Sequence, residues 1–139
     1  MNNIIEQNRQ LIESYFNEVW NKGNIDLLDE LITADYINHS PSVPDPKTGP
    51  EGLKPLIEEM RKGISNLHYE INDTVITEDK IVARVSMTGE HTGELWGMEP
   101  TGKKIEVNQI NIEHVRNGKI SEHWRITEEF KMLRQLEVI

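Results

Sequence analysis

The chain contains no cysteine. That excludes disulfides, thiolate metal sites and a cysteine nucleophile. It has no basic run, and its net charge is −9. Holding a phosphate backbone needs a Lys/Arg patch, so nucleic acid is not an expected partner. No apolar stretch approaches the roughly 18 residues of a membrane-spanning helix, so no membrane partner is expected. The start, Met1-Asn2-Asn3-Ile4-Ile5-Glu6, lacks the basic region and apolar core of a secretory signal. A cytoplasmic location is the resulting expectation. Neither the Walker A loop nor GxGxxG occurs, which removes support for nucleotide binding. Histidines at H-x-x-x-H or H-x-H spacing are missing too, so neither a metal site nor a cofactor is expected.

What remains is an ordinary globular composition, 36% apolar and 28% charged. Its 139 residues suit one domain, 1–139, around one core. Residues 4–21 place Ile4, Ile5, Asn8, Leu11, Ile12, Tyr15, Phe16, Val19 and Trp20 at helical spacing. Gly23 ends that helix, and Ile25–Leu31 reads as a short second one. Ala34–His39 reads as a strand ended by Ser40-Pro41. Residues 40–50, with four prolines, form a loop beside His39 and a candidate lid. Glu51–Gly63 reads as a third helix. The period then changes to two: Leu67–Thr77, Ile81–His91, Lys104–Arg116 and Lys119–Glu128 are strands, with a loop at 92–103. Phe130, Met132, Leu133 and Leu136 make an apolar tail with the makings of a helical turn. Helices followed by a meander give an α+β fold, with N-terminal helices on the concave face of a strongly curved antiparallel sheet. Curvature is expected at Gly89 and at a bulge near Asn108-Gln109, where the apolar phase slips.

The most informative stretch is the last hairpin. Asn117-Gly118 between alternating runs is a type I′ turn signal. A two-residue loop makes opposed residue numbers sum to 235. Trp124 then faces Asn111, Ile126 faces Gln109, Glu128 faces Val107, and Glu122 faces Glu113, all on one side of the sheet. Apolar walls with a few polar groups are what a small-molecule pocket needs. The alternative is a half-exposed face with surface glutamates. In this register His114, His123 and Arg125 point away from the pocket.

The residues resemble a known family. Trp20-Asn21-Lys22-Gly23-Asn24, Asp35-Tyr36-Ile37-Asn38-His39, Gly89-Glu90-His91-Thr92-Gly93 and Gly118-Lys119-Ile120-Ser121-Glu122-His123-Trp124 carry the likeness, in order, over nearly the whole chain. They resemble the SnoaL-like polyketide and ester cyclases of the nuclear transport factor 2-like superfamily. The resemblance implies a cystatin-like α+β cone and a homodimer. It also implies an acid/base carboxylate four residues after the tryptophan, where this chain has Glu128, one methylene longer than the family's aspartate. That superfamily also holds epoxide hydrolases and non-catalytic binders.

The expected activity is therefore cofactor-free proton abstraction next to a carbonyl, of cyclase or isomerase type, on a small hydrophobic substrate. Glu128 would be the base, with a pKa raised by apolar neighbours. His91 and His39 would steady the oxyanion. Trp124, Asn111, Glu122, Gln109, Val107 and Ile126 would bind the substrate. The alternatives are a non-catalytic small-molecule binder of the same fold and an epoxide hydrolase-like activity. The outer sheet face, with Ile110, Ile112, His114, His123 and Arg125, is the expected homodimer contact, because no helix remains to cover its isoleucines.

Overall fold

The N-terminal apolar stripe forms the helix its spacing predicts. α1 (Asn3–Ser14) runs on into a wider, π-type segment, Tyr15–Asn21. Its buried residues are Asn8, Leu11, Ile12, Tyr15, Phe16, Val19 and Trp20. A 3-10 turn, Ile25–Leu27, leads into α2 (Leu28–Leu31). β1 (Ile32–Asn38), α3 (Pro50–Gly63), β2 (Ile64–Ile76), β3 (Lys80–His91), β4 (Lys104–Arg116), β5 (Lys119–Thr127) and α4 (Glu129–Gln135) follow. The computed structural model describes residues 3–139.

The fold is the expected α+β, with helices packed on one face of a curled five-stranded sheet of order β1-β5-β4-β3-β2. All ladders are antiparallel except β1 with β5, which is parallel. Ile81, Ala83, Val85 and Met87 of β3 and Ile105 and Val107 of β4 meet Ile12, Phe16, Val19 and Ile57 from the helices in one core. Asn21 ties the helix end to the sheet: its Nδ2 donates to the Tyr69 carbonyl at 2.9 Å and its Oδ1 accepts from the Tyr69 N–H at 2.7 Å.

The predicted bulge at Asn108-Gln109 is absent, since β3 and β4 pair without a shift from Lys80↔His114 to Glu90↔Lys104. What slips there is polarity, not register. The inward positions of β4 change from Ile105 and Val107 to Gln109, Asn111 and Glu113, all buried. Curvature enters instead through two shifts in the β2–β3 ladder. Gly89 sits by the first of them, where a Cβ would lie 2.3 Å from Ile64 Cγ2. Only glycine lets the strands approach this closely.

The Asn117-Gly118 turn forms as expected, with φ of 52° and 77°. Arg116↔Lys119 and Val115↔Ile120 keep the predicted register. The next pair is His114↔Glu122, so Ser121 is an extra residue in β5. It is buried, and its hydroxyl donates to the His114 carbonyl at 3.2 Å. Beyond it Trp124 pairs with Ile112, not with Asn111, and Asn111 pairs with Arg125. One extra residue turns every later side chain of the strand to the other face.

Candidate active site

The turned strand builds the site. A cavity of about 480 Å³ lies between the sheet's inner face and the helices. Met87, Gln109, Arg125 and Asn38 line it from the sheet, and Trp20, Leu53, Leu56 and Met60 from the helices. Ser40, Pro41 and Ser42 of the proline-rich loop, Trp96 of the 92–103 loop, Thr127 at the end of β5, and Glu129, Met132 and Leu133 of α4 complete the lining. The volume suits a drug-sized molecule, and the walls are mainly apolar.

Arg125 is the charged group that β5 contributes to this lining. Its backbone N–H donates to Ser40 Oγ at 2.9 Å and its Nη2 donates to the Ser40 carbonyl at 3.0 Å. Among the described residues no carboxylate pairs with it within 4 Å. A guanidinium carries five donors, so most of the fork stays free for a ligand oxygen.

The inward row beside Arg125 is polar and closed. His123 Nδ1 lies 2.7 Å from Glu113 Oε1, and the two side chains are 2% and 1% exposed. Tyr36 Oη, Asn38 Nδ2, Asn111 Nδ2 and Glu113 Oε2 have no hydrogen-bond partner in the protein. Leaving one such group unpaired costs about 1–3 kcal/mol. Four of them on neighbouring inward positions mark a place that ligand oxygens or water complete. Burial pushes the Tyr15 phenol far above its ordinary range, and the Glu113 carboxylate adds to the effect. Tyr36 moves the same way, by burial first and then by Tyr15 and Glu113. Both phenols therefore remain protonated hydrogen-bond donors.

Of the predicted site residues, Gln109 lines the cavity, and Asn111 and Val107 face inward and are buried. The rest stand elsewhere. Trp124, Ile126 and Glu122 lie on the outer face, because of the Ser121 bulge. There Trp124 stacks on His39, with centroids 4.4 Å apart, and also meets His114 at 4.6 Å. Glu122 holds His39 Nε2 at 3.0 Å and His114 Nδ1 at 3.3 Å. Those bonds, His39 first, keep its carboxyl below the ordinary range. His39 thus belongs to an outer cluster. His91 is fully buried but anchors the 92–103 loop, its Nδ1 accepting the Thr101 N–H at 3.3 Å; it does not line the cavity.

Glu128 follows β5 and is the N-cap residue of α4. Its Oε1 accepts the Asn108 N–H at 2.7 Å. That backbone bond holds its pKa below the ordinary value, the reverse of the expected rise. His123 and Arg125, expected to point outward, point inward, and Glu113 and Glu122 lie on opposite faces. The sequence held a signal for this. A sum of 235 sets Glu113 directly against Glu122, and like charges so placed destabilise a ladder. One extra residue gives Glu113 a histidine and Glu122 another.

The chain matches the model of the SnoaL-like polyketide cyclase family over residues 10–136. It is 30% identical over 117 residues to the aklanonic acid methyl ester cyclase AcmA of Streptomyces galilaeus, covering 83% of this chain and 77% of that one. It is 29% identical over 106 residues to the nogalonic acid methyl ester cyclase of Streptomyces nogalater, covering 75% and 78%. The solved structure of TsrD from Streptomyces laurentii superposes with a TM-score of 0.88 at 25% identity, covering 96% of this chain and 97% of that one. With the family model spanning helices, sheet and cavity alike, the chain belongs to the SnoaL-like polyketide cyclases.

Proposed function

We propose that the protein closes a ring in a hydrophobic, carbonyl-bearing substrate by acid/base chemistry without a cofactor. A proton leaves the carbon beside one carbonyl, and the resulting enolate carbon adds to a second carbonyl of the same molecule. The observation that carries this reading is Arg125, a guanidinium with no carboxylate partner within 4 Å among the described residues, in a mainly apolar cavity of about 480 Å³. Enolate formation moves negative charge onto oxygen, and a preformed cation in a low-dielectric site favours that change. Apolar walls gather a hydrophobic ester, and the names of the relatives give methyl esters of aklanonic and nogalonic acid as what those proteins cyclise. A second copy covering the outer sheet face is part of the same proposal.

The test is incubation with aklanonic and nogalonic acid methyl esters and with simpler aryl keto esters, following ring closure by chromatography and mass spectrometry. Turnover is expected with at least one of them. Arg125→Met should lower the rate about 10²–10³-fold, as loss of an oxyanion donor does, while circular dichroism stays unchanged. Failure to bind or turn over any of these esters would remove the reading.

A further inference from the structure

We propose that His123, oriented by Glu113, is the acid/base group of the cavity. The inference rests on the cyclase reading for the class of substrate, a ketone or keto ester with an acidic C–H. It is carried by three observations. The 2.7 Å contact uses His123 Nδ1 and so leaves Nε2 for a ligand. His123 sits just behind the cavity wall, flanked by lining residues on two sides: Asn38 is its neighbour across the β1–β5 ladder, and Arg125 is the next inward residue along β5. Finally, the unpartnered Tyr36 Oη, Asn38 Nδ2 and Asn111 Nδ2 surround the same inward positions with polar groups aimed at nothing in the protein.

The arrangement performs both halves of the reaction. Glu113 accepts the Nδ1 hydrogen, which fixes the tautomer with a lone pair on Nε2. Nε2 takes the proton from the substrate carbon. The C–H pair becomes the enolate double bond, and the carbonyl π pair moves to the oxygen, beside Arg125. The enolate oxygen pair then re-forms the first carbonyl as the double-bond pair makes the new C–C bond to the second carbonyl, whose π pair becomes an alkoxide. The Nε2 proton passes to that alkoxide and His123 returns to neutral. No electron is gained or lost, and no co-reactant is needed. Glu113 touches no substrate in this scheme and is a positioning residue.

The experiment uses 2-tetralone, a hydrophobic ketone, as probe. Exchange of its protons next to the carbonyl for deuterium is followed by proton NMR in heavy water, with wild type, His123→Gln and Glu113→Gln. Wild type should accelerate exchange above buffer, and His123→Gln should lose about 10²-fold or more of that acceleration, the usual share of a general base. Glu113→Gln should slow exchange and shift the His123 tautomer ratio in nitrogen-15 spectra, which a purely structural role would not do. No acceleration by wild type, or equal acceleration by folded His123→Gln, overturns the proposal. If His123→Gln fails to fold, wild-type nitrogen-15 spectra decide: Nε2 must be the unprotonated nitrogen and must shift when 2-tetralone binds, and a protonated or unresponsive Nε2 overturns it. The two readings fail separately. Exchange that depends on His123 without ester cyclisation leaves the base in place and discards the substrate class. Cyclisation that survives His123→Gln discards the base alone.

Discussion

A guanidinium near buried phenols limits which of them can ionise, and the tyrosines show the balance. Burial raises Tyr15, Tyr36 and Tyr69 above the ordinary value of 10.0, and Arg125 opposes the shift at all three without overcoming it. The sign for stability follows. A folded-state pKa above the unfolded one means that stability is complete below about pH 10 and is lost as pH rises beyond it, by about 1.4 kcal/mol per unit for each phenol. Urea midpoints at pH 8, 10 and 11 should fall steeply between the last two, and Tyr69→Phe should make the fall shallower. A flat profile would mean that the phenols are solvated. Glu128 behaves oppositely. The Asn108 N–H lowers its pKa below 4.5, so its contribution is present above that value and is lost as pH falls through the folded pKa. Carbon-detected NMR should find Glu128 titrating below the ordinary carboxylate range, and a raised midpoint would restore the case for a desolvated base at that position.

At the level of elements, helices and strands were legible because each has a clean period. The stripe from Asn8 to Trp20 and the alternation from Ile81 to Met87 fix their own partners. The site was less legible because it depends on one residue that leaves no mark in the apolar alternation, only in the like-charge clash of Glu113 with Glu122. Ile120 and Ser121 are adjacent and both buried, which strict alternation does not allow. The turn at Asn117-Gly118 sets register for two pairs only; the serine resets it for the rest. Gln109 and Asn111 were found because β4 has no irregularity, whereas everything assigned to β5 beyond Ser121 was assigned to the wrong face. Deleting Ser121 provides the test. The shortened strand must either slide Trp124 and Ile126 inward and Arg125 and His123 out, or break the ladder from the turn. Both outcomes disrupt a buried polar row and a packed core. The expected loss is above about 4 kcal/mol, a large part of a typical domain's stability. Urea unfolding measures it, and a deletion variant within about 1 kcal/mol of wild type would show that the bulge is dispensable.

For the whole molecule, the same bulge decides what the outer face looks like. It brings Trp124 opposite Ile112, which faces Val82, itself opposite Val75, so that a mainly apolar row runs across four strands. Ile110 and Ile126 extend it, and Ile126 is 76% exposed. Among the described residues no helix covers this face, because α1 to α3 pack on the inner one and α4 borders the cavity mouth. Contiguous apolar surface of this kind is rare on a protein that works alone. The proposed occupant is a second copy, since an isologous contact sets the row against its own counterpart and hides both at once. His123 and Arg125, expected in such a contact from sequence, face inward, and Trp124 and Ile126 stand in their place on the outer face. His39, Glu122 and His114 form a polar border at one edge of the patch. The prediction is a dimer by sedimentation velocity at micromolar concentration. Ile112→Glu should convert it to monomer, because the substitution sets two carboxylates into an apolar contact, and desolvating unpaired charge costs several kcal/mol per ion. The cavity lies on the opposite face, so the variant should retain 2-tetralone binding. A wild-type monomer across that concentration range would leave the row uncovered and end the proposal, as would an Ile112→Glu protein that stays dimeric.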